Sequence, residues 1–368
     1  MPSFSALAKP GIDRLHTYEA GRPIDEVARD LGISSTDAIT KLASNENALG
    51  PSRLALEAMR LNTDMMHLYP DGGAYRLRKA LAVSLDVEMD QVLPANGSNE
   101  ILEFLGHVFL GPGTSIVMAE YAFVVYRLIA ATFDSDVIDV PMREFRHDLK
   151  AMCDAIRKDT RIVFIANPNN PTGTRVTTDE IDQFMNRVPD NVIVCFDEAY
   201  IELLPPAAQS STLAYVRDGR NVITMRTFSK TYGLAGLRIG YAVAPSECIS
   251  LLNRVRQPFN VNAMAQAAAI AALGDKEHVD RTRTMVAEGI AMLQAAFESM
   301  SIDYVPSCVN FILVRVGDSR RVFDALMQKG IIVRPMDGYK LPEYIRVTVG
   351  TLSENERFVT ALGEVLST

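Results

Sequence analysis

Val192-Ile193-Val194-Cys195-Phe196-Asp197-Glu198-Ala199-Tyr200 reads as a buried strand that carries an acid to its C-terminal end. Its apolar residues do not alternate with polar ones, so both faces are covered, as in a parallel sheet between layers of helices. In open sheets of that kind ligands sit outside the carboxyl ends of the strands, where Asp197 falls, while Tyr200 reads equally as a packing aromatic. A second such run, Ile162 to Ala166, feeds Asn167-Pro168-Asn169-Asn170-Pro171-Thr172-Gly173. Pro171 holds Asn170 extended, and Gly173 permits a tight reversal.

Outward from these two strands, further apolar runs alternate with helical patterns. They are Gln91 to Ala95, Ser115 to Met118, Val137 to Val140, Asn221 to Met225 and Gly240 to Val243. The alternation predicts an α/β fold, a mostly parallel sheet with helices on both faces, over residues 46–265. Val261 to Met300, rich in alanine and free of proline, predicts one long helix. Beyond it, strands at Cys308 to Arg315, Ile331 to Arg334 and Tyr344 to Val349, with a helix over Asp318 to Lys329, predict a smaller α+β unit within 266–368. Residues 1–45 read as an arm that joins this smaller unit, with a short amphipathic helix from Ile24 to Leu31 ended by Gly32.

Composition narrows the partners. Across 368 residues the net charge is −8, so no global basic field draws nucleic acid or an anionic membrane, and an anionic substrate needs local arginines. Cys153, Cys195, Cys248 and Cys308 lie far apart and form no disulfide framework or zinc spacing. Nor do the five histidines show ligand spacing, so no metal is expected. Ala263 to Leu273 is too short to span a bilayer, and the N-terminus lacks the basic and apolar regions of a signal peptide. The expected compartment is the cytoplasm.

The chemistry concentrates in Thr227-Phe228-Ser229-Lys230-Thr231-Tyr232-Gly233-Leu234-Ala235-Gly236-Leu237-Arg238. An amine able to condense with an aldehyde, hydroxyls, close-approaching glycines and a guanidinium suit an aldehyde cofactor that carries a phosphate. Alone, the run is equally a surface lysine beside a flexible loop. Asp197, buried at a strand end, needs a cationic partner, and a pyridinium nitrogen would be one; taken alone it reads more readily as a helix cap or a strand-end salt bridge. Gly97-Ser98-Asn99-Glu100 precedes the apolar run Ile101 to Phe109, where free N–H groups at a helix start attract an anion; Ser98 or Asn99 also reads as a helix cap, and the two readings are compatible.

Taken in order, Asn170-Pro171-Thr172-Gly173, Asp197-Glu198-Ala199-Tyr200 and Ser229-Lys230 with Arg238 resemble the fold type I, aspartate-aminotransferase-like enzymes that use pyridoxal phosphate. The likeness extends to Ser44-Asn45-Glu46-Asn47, Tyr69-Pro70-Asp71 and Tyr344-Ile345-Arg346-Val347-Thr348-Val349-Gly350. Within that superfamily the chain most resembles the histidinol-phosphate aminotransferases. The resemblance implies a large domain with a seven-stranded sheet and a smaller α+β domain. Lys230 would carry the cofactor and move the substrate proton, Asp197 would face the ring nitrogen, and Asn170 and Tyr200 would donate to the phenolic oxygen. Ser98, Asn99, Thr227, Ser229 and Arg238 would hold the phosphate, Tyr121 would stack on the ring, and Tyr69 would reach the cofactor of a second subunit. Arg346 would take the substrate carboxylate, Arg334 its phosphate, and Tyr18 would lie over it. The implied reaction is amino transfer between histidinol phosphate and 2-oxoglutarate. Aromatic amino acid aminotransferases and threonine-phosphate decarboxylases share these motifs and stand as alternatives.

Overall fold

The computed structural model describes residues 3–9, 12, 15, 22–32, 35, 38–209 and 212–367. Along the chain the strands are β1 (Thr40–Lys41), β2 (Val92–Ala95), β3 (Ser115–Ala119), β4 (Asp136–Val140), β5 (Thr160–Ala166), β6 (Ile193–Asp197), β7 (Val222–Thr227) and β8 (Gly240–Val243). The later ones are β9 (Tyr304–Val305), β10 (Phe311–Arg315), β11 (Ile331–Ile332), β12 (Arg334–Pro335) and β13 (Tyr344–Thr348).

A seven-stranded sheet has the order β2-β8-β7-β6-β5-β3-β4, and only β8 runs against its neighbours. Its strands feed two cores. Val163, Ile165, Val194 and Phe196 face one, while Ile162, Phe164 and Cys195 face the other. Each core is closed by helices, Ser98–Phe109 and Val125–Thr132 on one side and Tyr75–Leu85 and Thr178–Met185 on the other. Double coverage is why these strands are continuous apolar runs. A four-stranded antiparallel sheet, β12-β13-β10-β9, forms the smaller unit.

Two expectations are corrected. The alanine-rich stretch is two helices, Ala263–Gly274 and Lys276–Ser299, because Asp275 leaves helical geometry (φ −89°, ψ 70°) and its carboxylate caps His278. Ala265, Ala268, Ala269 and Ala272 pack in the large unit's core, past the boundary expected at 265. The run Ile331 to Arg334 is likewise two strands. β11 pairs in parallel with β1, and β12 pairs with β13. The β1–β11 pairing brings the segment just before Ser44 to the small unit and onward between the two sheets.

Candidate active site

One cavity of about 420 Å³ opens at the carboxyl ends of β5, β6 and β7 and is completed by residues 43–46 and by β12 and β13. Ser98, Asn99, Asn170, Asp197, Tyr200, Thr227, Ser229, Lys230, Arg238, Arg334 and Arg346 all line it. Residues far apart in the chain therefore meet as the sequence predicts.

Lys230 Nζ lies 3.3 Å from the carbonyl oxygens of Ser44 and Asn45, and 5.6 Å from the centroid of the Tyr200 ring. Burial, aided by nearby Arg346, pulls its pKa down to about 8. The neutral amine attacks carbonyl carbon, so aldehyde capture by the cofactor-free protein is expected to speed about tenfold per pH unit up to 8, then level off. Stopped-flow absorbance across roughly pH 6–10 checks this, and a rate flat below that pKa would contradict it.

Asp197 is buried, and its Oδ2 accepts a 2.7 Å hydrogen bond from Tyr126 Oη. Its Oδ1 accepts a 3.2 Å hydrogen bond from the Ala199 amide. Burial raises its pKa despite these two donors, and both donors are neutral. An acid in that state is matched by a cation placed in the cavity. Tyr126 is fully buried and stacked on Phe164 at 4.6 Å, so the donor is held rigidly.

The helix Ser98–Phe109 begins after Gly97 (φ 79°), and no side chain caps it. Ser98 and Asn99 thus stand in the first turn beside the cavity, and the cap reading of their side chains does not hold. Glu100 instead turns back to accept from the Asn96 amide at 2.6 Å. A Cβ on Gly97 would lie 2.8 Å from Arg238 Nη2, and one on Gly240 would lie 2.7 Å from the Ser98 nitrogen. Glycine at both places lets the guanidinium and the helix start close on one point. Thr227 Oγ1 bonds Ser229 Oγ at 3.0 Å at the rim of the same space. Free amides, hydroxyls and a guanidinium make a donor set suited to a phosphate. With Lys230 for an aldehyde and Asp197 for a protonated ring nitrogen, the residues fit pyridoxal 5'-phosphate.

Arg334 and Arg346 are register partners on β12 and β13 and both line the cavity. Arg346 Nη1 donates to Asn170 Oδ1 at 2.5 Å, and Nη2 to the Ala43 carbonyl at 2.9 Å. Because an arginine only donates, Asn170 turns its oxygen to Arg346 and its amide away.

Three expected residues are not in the set lining the cavity, and of these Tyr69 is expected at a second subunit's cofactor. Tyr121 is not among the cavity residues. It packs with Phe145 (6.0 Å) on the small unit's core, while Phe123, two residues on, lines the cavity. The strand-to-helix turn packs the Tyr121 ring against the small unit and leaves Phe123 as the aromatic of the Tyr121–Phe123 pair that lines the cavity. Tyr69 is 83% exposed, stacked on Phe259 at 4.7 Å, and outside this chain's cavity. Tyr18 lies outside the described residues. Missed from the sequence were Phe123 and Tyr126, which carried no pattern beyond a plausible core aromatic, while Asn45 stood in a matching segment with no role assigned. Asn47, quoted without a contact, ties the lysine loop down: its Nδ2 donates to the Thr231 carbonyl (2.9 Å) and to Thr282 Oγ1 (3.1 Å).

A lysine amine at the strand ends of a doubly covered sheet, near a buried acid and an uncapped helix start, fits an enzyme that uses pyridoxal phosphate, and residues 37–362 match the aminotransferase class I and II family. The chain belongs to that family, in its histidinol-phosphate aminotransferase branch. It is 47% identical over 367 residues to a histidinol-phosphate aminotransferase of Akkermansia muciniphila, covering 99% of this chain and 100% of the other. It is 49% identical over 361 residues to that of Moorella thermoacetica, covering 98% and 93%. Among solved structures, histidinol-phosphate aminotransferase from Sinorhizobium meliloti in complex with pyridoxal 5'-phosphate superposes with a TM-score of 0.88 at 26% identity, covering 98% of this chain and 97% of that one.

Proposed function

We propose that the protein transfers the amino group of L-histidinol phosphate to 2-oxoglutarate, with pyridoxal 5'-phosphate as cofactor, as a cytoplasmic homodimer. The observation that carries this reading is the pairing of Arg334 with Arg346 beside Lys230, two cations for a substrate with one phosphate and a co-substrate with two carboxylates. Full-length likeness to enzymes of that name supports it.

When bound, the cofactor supplies a carbonyl that holds the substrate nitrogen and a ring that accepts electrons. The chain's residues do the rest. Asp197 would keep the ring nitrogen protonated, while Asn170 and Tyr200 would donate to the phenolic oxygen. The Lys230 amine would hold the cofactor and, when free, would carry the substrate Cα proton. Ser98, Asn99, Thr227, Ser229 and Arg238 would hold the phosphate, and Phe123 would pack against the ring. Arg346 orients the 2-oxoglutarate carboxylate, and Arg334 the distal anionic group.

A substrate panel with 2-oxoglutarate tests the assignment. Histidinol phosphate is expected to give the highest kcat/KM, and Arg334→Gln is expected to raise its KM about tenfold or more. A preference for phenylalanine or tyrosine, or carbon dioxide release without 2-oxoglutarate, would replace the reading with one of the alternatives.

The dimer rests on Tyr69. Leu61, Met65, Met66, Leu68, Tyr69 and Tyr75 are all exposed in the single chain, a patch that a second subunit would cover. With Tyr69 reaching the partner's phosphate, mixing inactive Lys230→Ala with impaired Tyr69→Ala subunits is expected to restore activity, since one site per heterodimer is then intact. No recovery on mixing would exclude a shared site.

A further inference from the structure

We propose that Asn45 is a positioning residue that aims the Tyr200 hydroxyl proton into the cavity and ties that aim to the strand bearing Arg346; the inference rests on the cofactor reading above. Asn45 is 1% exposed and sits at φ 54°, in the left-handed region that asparagine tolerates better than other non-glycine residues. Every polar group it has is used. Its backbone N–H donates to Thr348 Oγ1 at 2.9 Å. Its carbonyl accepts from Asn310 Nδ2 at 3.1 Å and from Lys230 Nζ at 3.3 Å. Its side chain spans Thr348 Oγ1 (3.2 Å) and Tyr200 Oη (2.9 Å).

The polarity of this chain of contacts follows from donor counting. Thr348 Oγ1 already accepts from the Asn45 amide, and its one proton goes to Asn45 Oδ1. The Asn45 oxygen is thereby turned to Thr348, and its NH₂ group faces Tyr200. An amide NH₂ only donates, so it occupies a lone pair of the phenol, and the phenol's own proton leaves in another direction. Tyr200 lines the cavity with Asp197 and Asn170 and has no acceptor for that proton among the described residues. The proton is therefore offered to the cavity, where a phenolate oxygen would take it. A donor behind the phenol also makes it the stronger acid. Burial dominates and leaves it a poor one, its pKa pushed up to about 12 even with Arg346 and Asn45 pulling the other way.

Thr348 lies two residues after Arg346 on β13, so the two side chains share a face of the sheet. An anion that draws on Arg346 therefore draws on the strand that orients Asn45. Substrate binding and the strength of the Tyr200 donor are linked through one buried amide.

The test is a double-mutant cycle on the cofactor-loaded protein, read by the pH midpoint of its visible absorption rather than by turnover alone. Asn45→Gly keeps the left-handed backbone and removes the donor. It is expected to raise the midpoint by about 0.5 pH unit, because a weaker phenol donor stabilises the anionic oxygen less. Tyr200→Phe raises the midpoint further, by about one unit, and adding Asn45→Gly to it is expected to change nothing more. Thr348→Val, an isosteric change outside the cavity, gives a second route with the same sign and the same disappearance in the Tyr200→Phe background. Equal shifts with and without the phenol, or no shift with Tyr200 intact, overturn the inference while leaving the cofactor reading in place. A parent protein without a titrating visible band overturns the cofactor reading, and this inference with it.

Discussion

Lys230→Ala is expected to abolish the visible absorption of lysine-bound cofactor and to lower kcat by at least about 10⁴-fold. The expectation follows from position. Its amine is the nitrogen held between the Ser44 and Asn45 carbonyls and the Tyr200 ring, at the mouth of β7, with its pKa lowered to about 8. No other lysine lines the cavity among the described residues, so neither the covalent attachment nor the proton carrier has a substitute. Absorbance spectra and single-turnover measurements with added pyridoxal phosphate separate the two losses. Slow single turnovers partly rescued by a small exogenous amine would assign the remaining defect to proton transfer. Turnover within about tenfold of the parent would remove Lys230 from both roles.

Asp197→Asn is expected to cost about 10³-fold in kcat, since an amide does not hold a proton on the ring nitrogen and gives no charge to oppose it. Stability should move the other way. Burial raises the folded-state pKa of Asp197, so the folded protein binds a proton more tightly than the unfolded chain does. Its ionisation therefore opposes folding: stability falls as pH rises from the ordinary carboxylate value through the raised one, and stays lowered above it. At about pH 7–8 the cofactor-free Asp197→Asn variant is expected to melt no lower than the cofactor-free parent, while the cofactor-loaded pair diverges in favour of the parent. A cofactor-free variant that melts well below the parent would show that Asp197 serves the scaffold first.

Most of the large sheet is legible in the sequence because β3, β5, β6 and β7 are covered on both faces, and continuous apolar runs are the direct mark of that. The acid, the lysine and the glycines are legible for a related reason: each is a residue type whose burial or backbone freedom needs a chemical motive. The Gly274-Asp275 break is present in the sequence but masked by the alanine-rich run, whose even apolarity gives no face to interrupt. What stays hidden depends on side-chain direction or on distant partners. Tyr121 and Phe123 are aromatics two residues apart, and only the turn's path decides which ring enters the cavity. Tyr126 shows its purpose only when Asp197 arrives from another strand. Asn45 does so only when Tyr200, Asn310 and Thr348 converge on it.

The pairing of β1 with β11, and of Asn45 with Thr348, also orders events on the ribosome. The lysine's floor is laid by one of the earliest segments synthesised, yet that segment is anchored by some of the last. A nascent chain can pair its seven central strands long before translation ends, but residues 40–45 gain their anchors on β11 and β13 only when the C-terminal sheet emerges. The cavity walls that carry Arg334 and Arg346 are thereby the last to arrive.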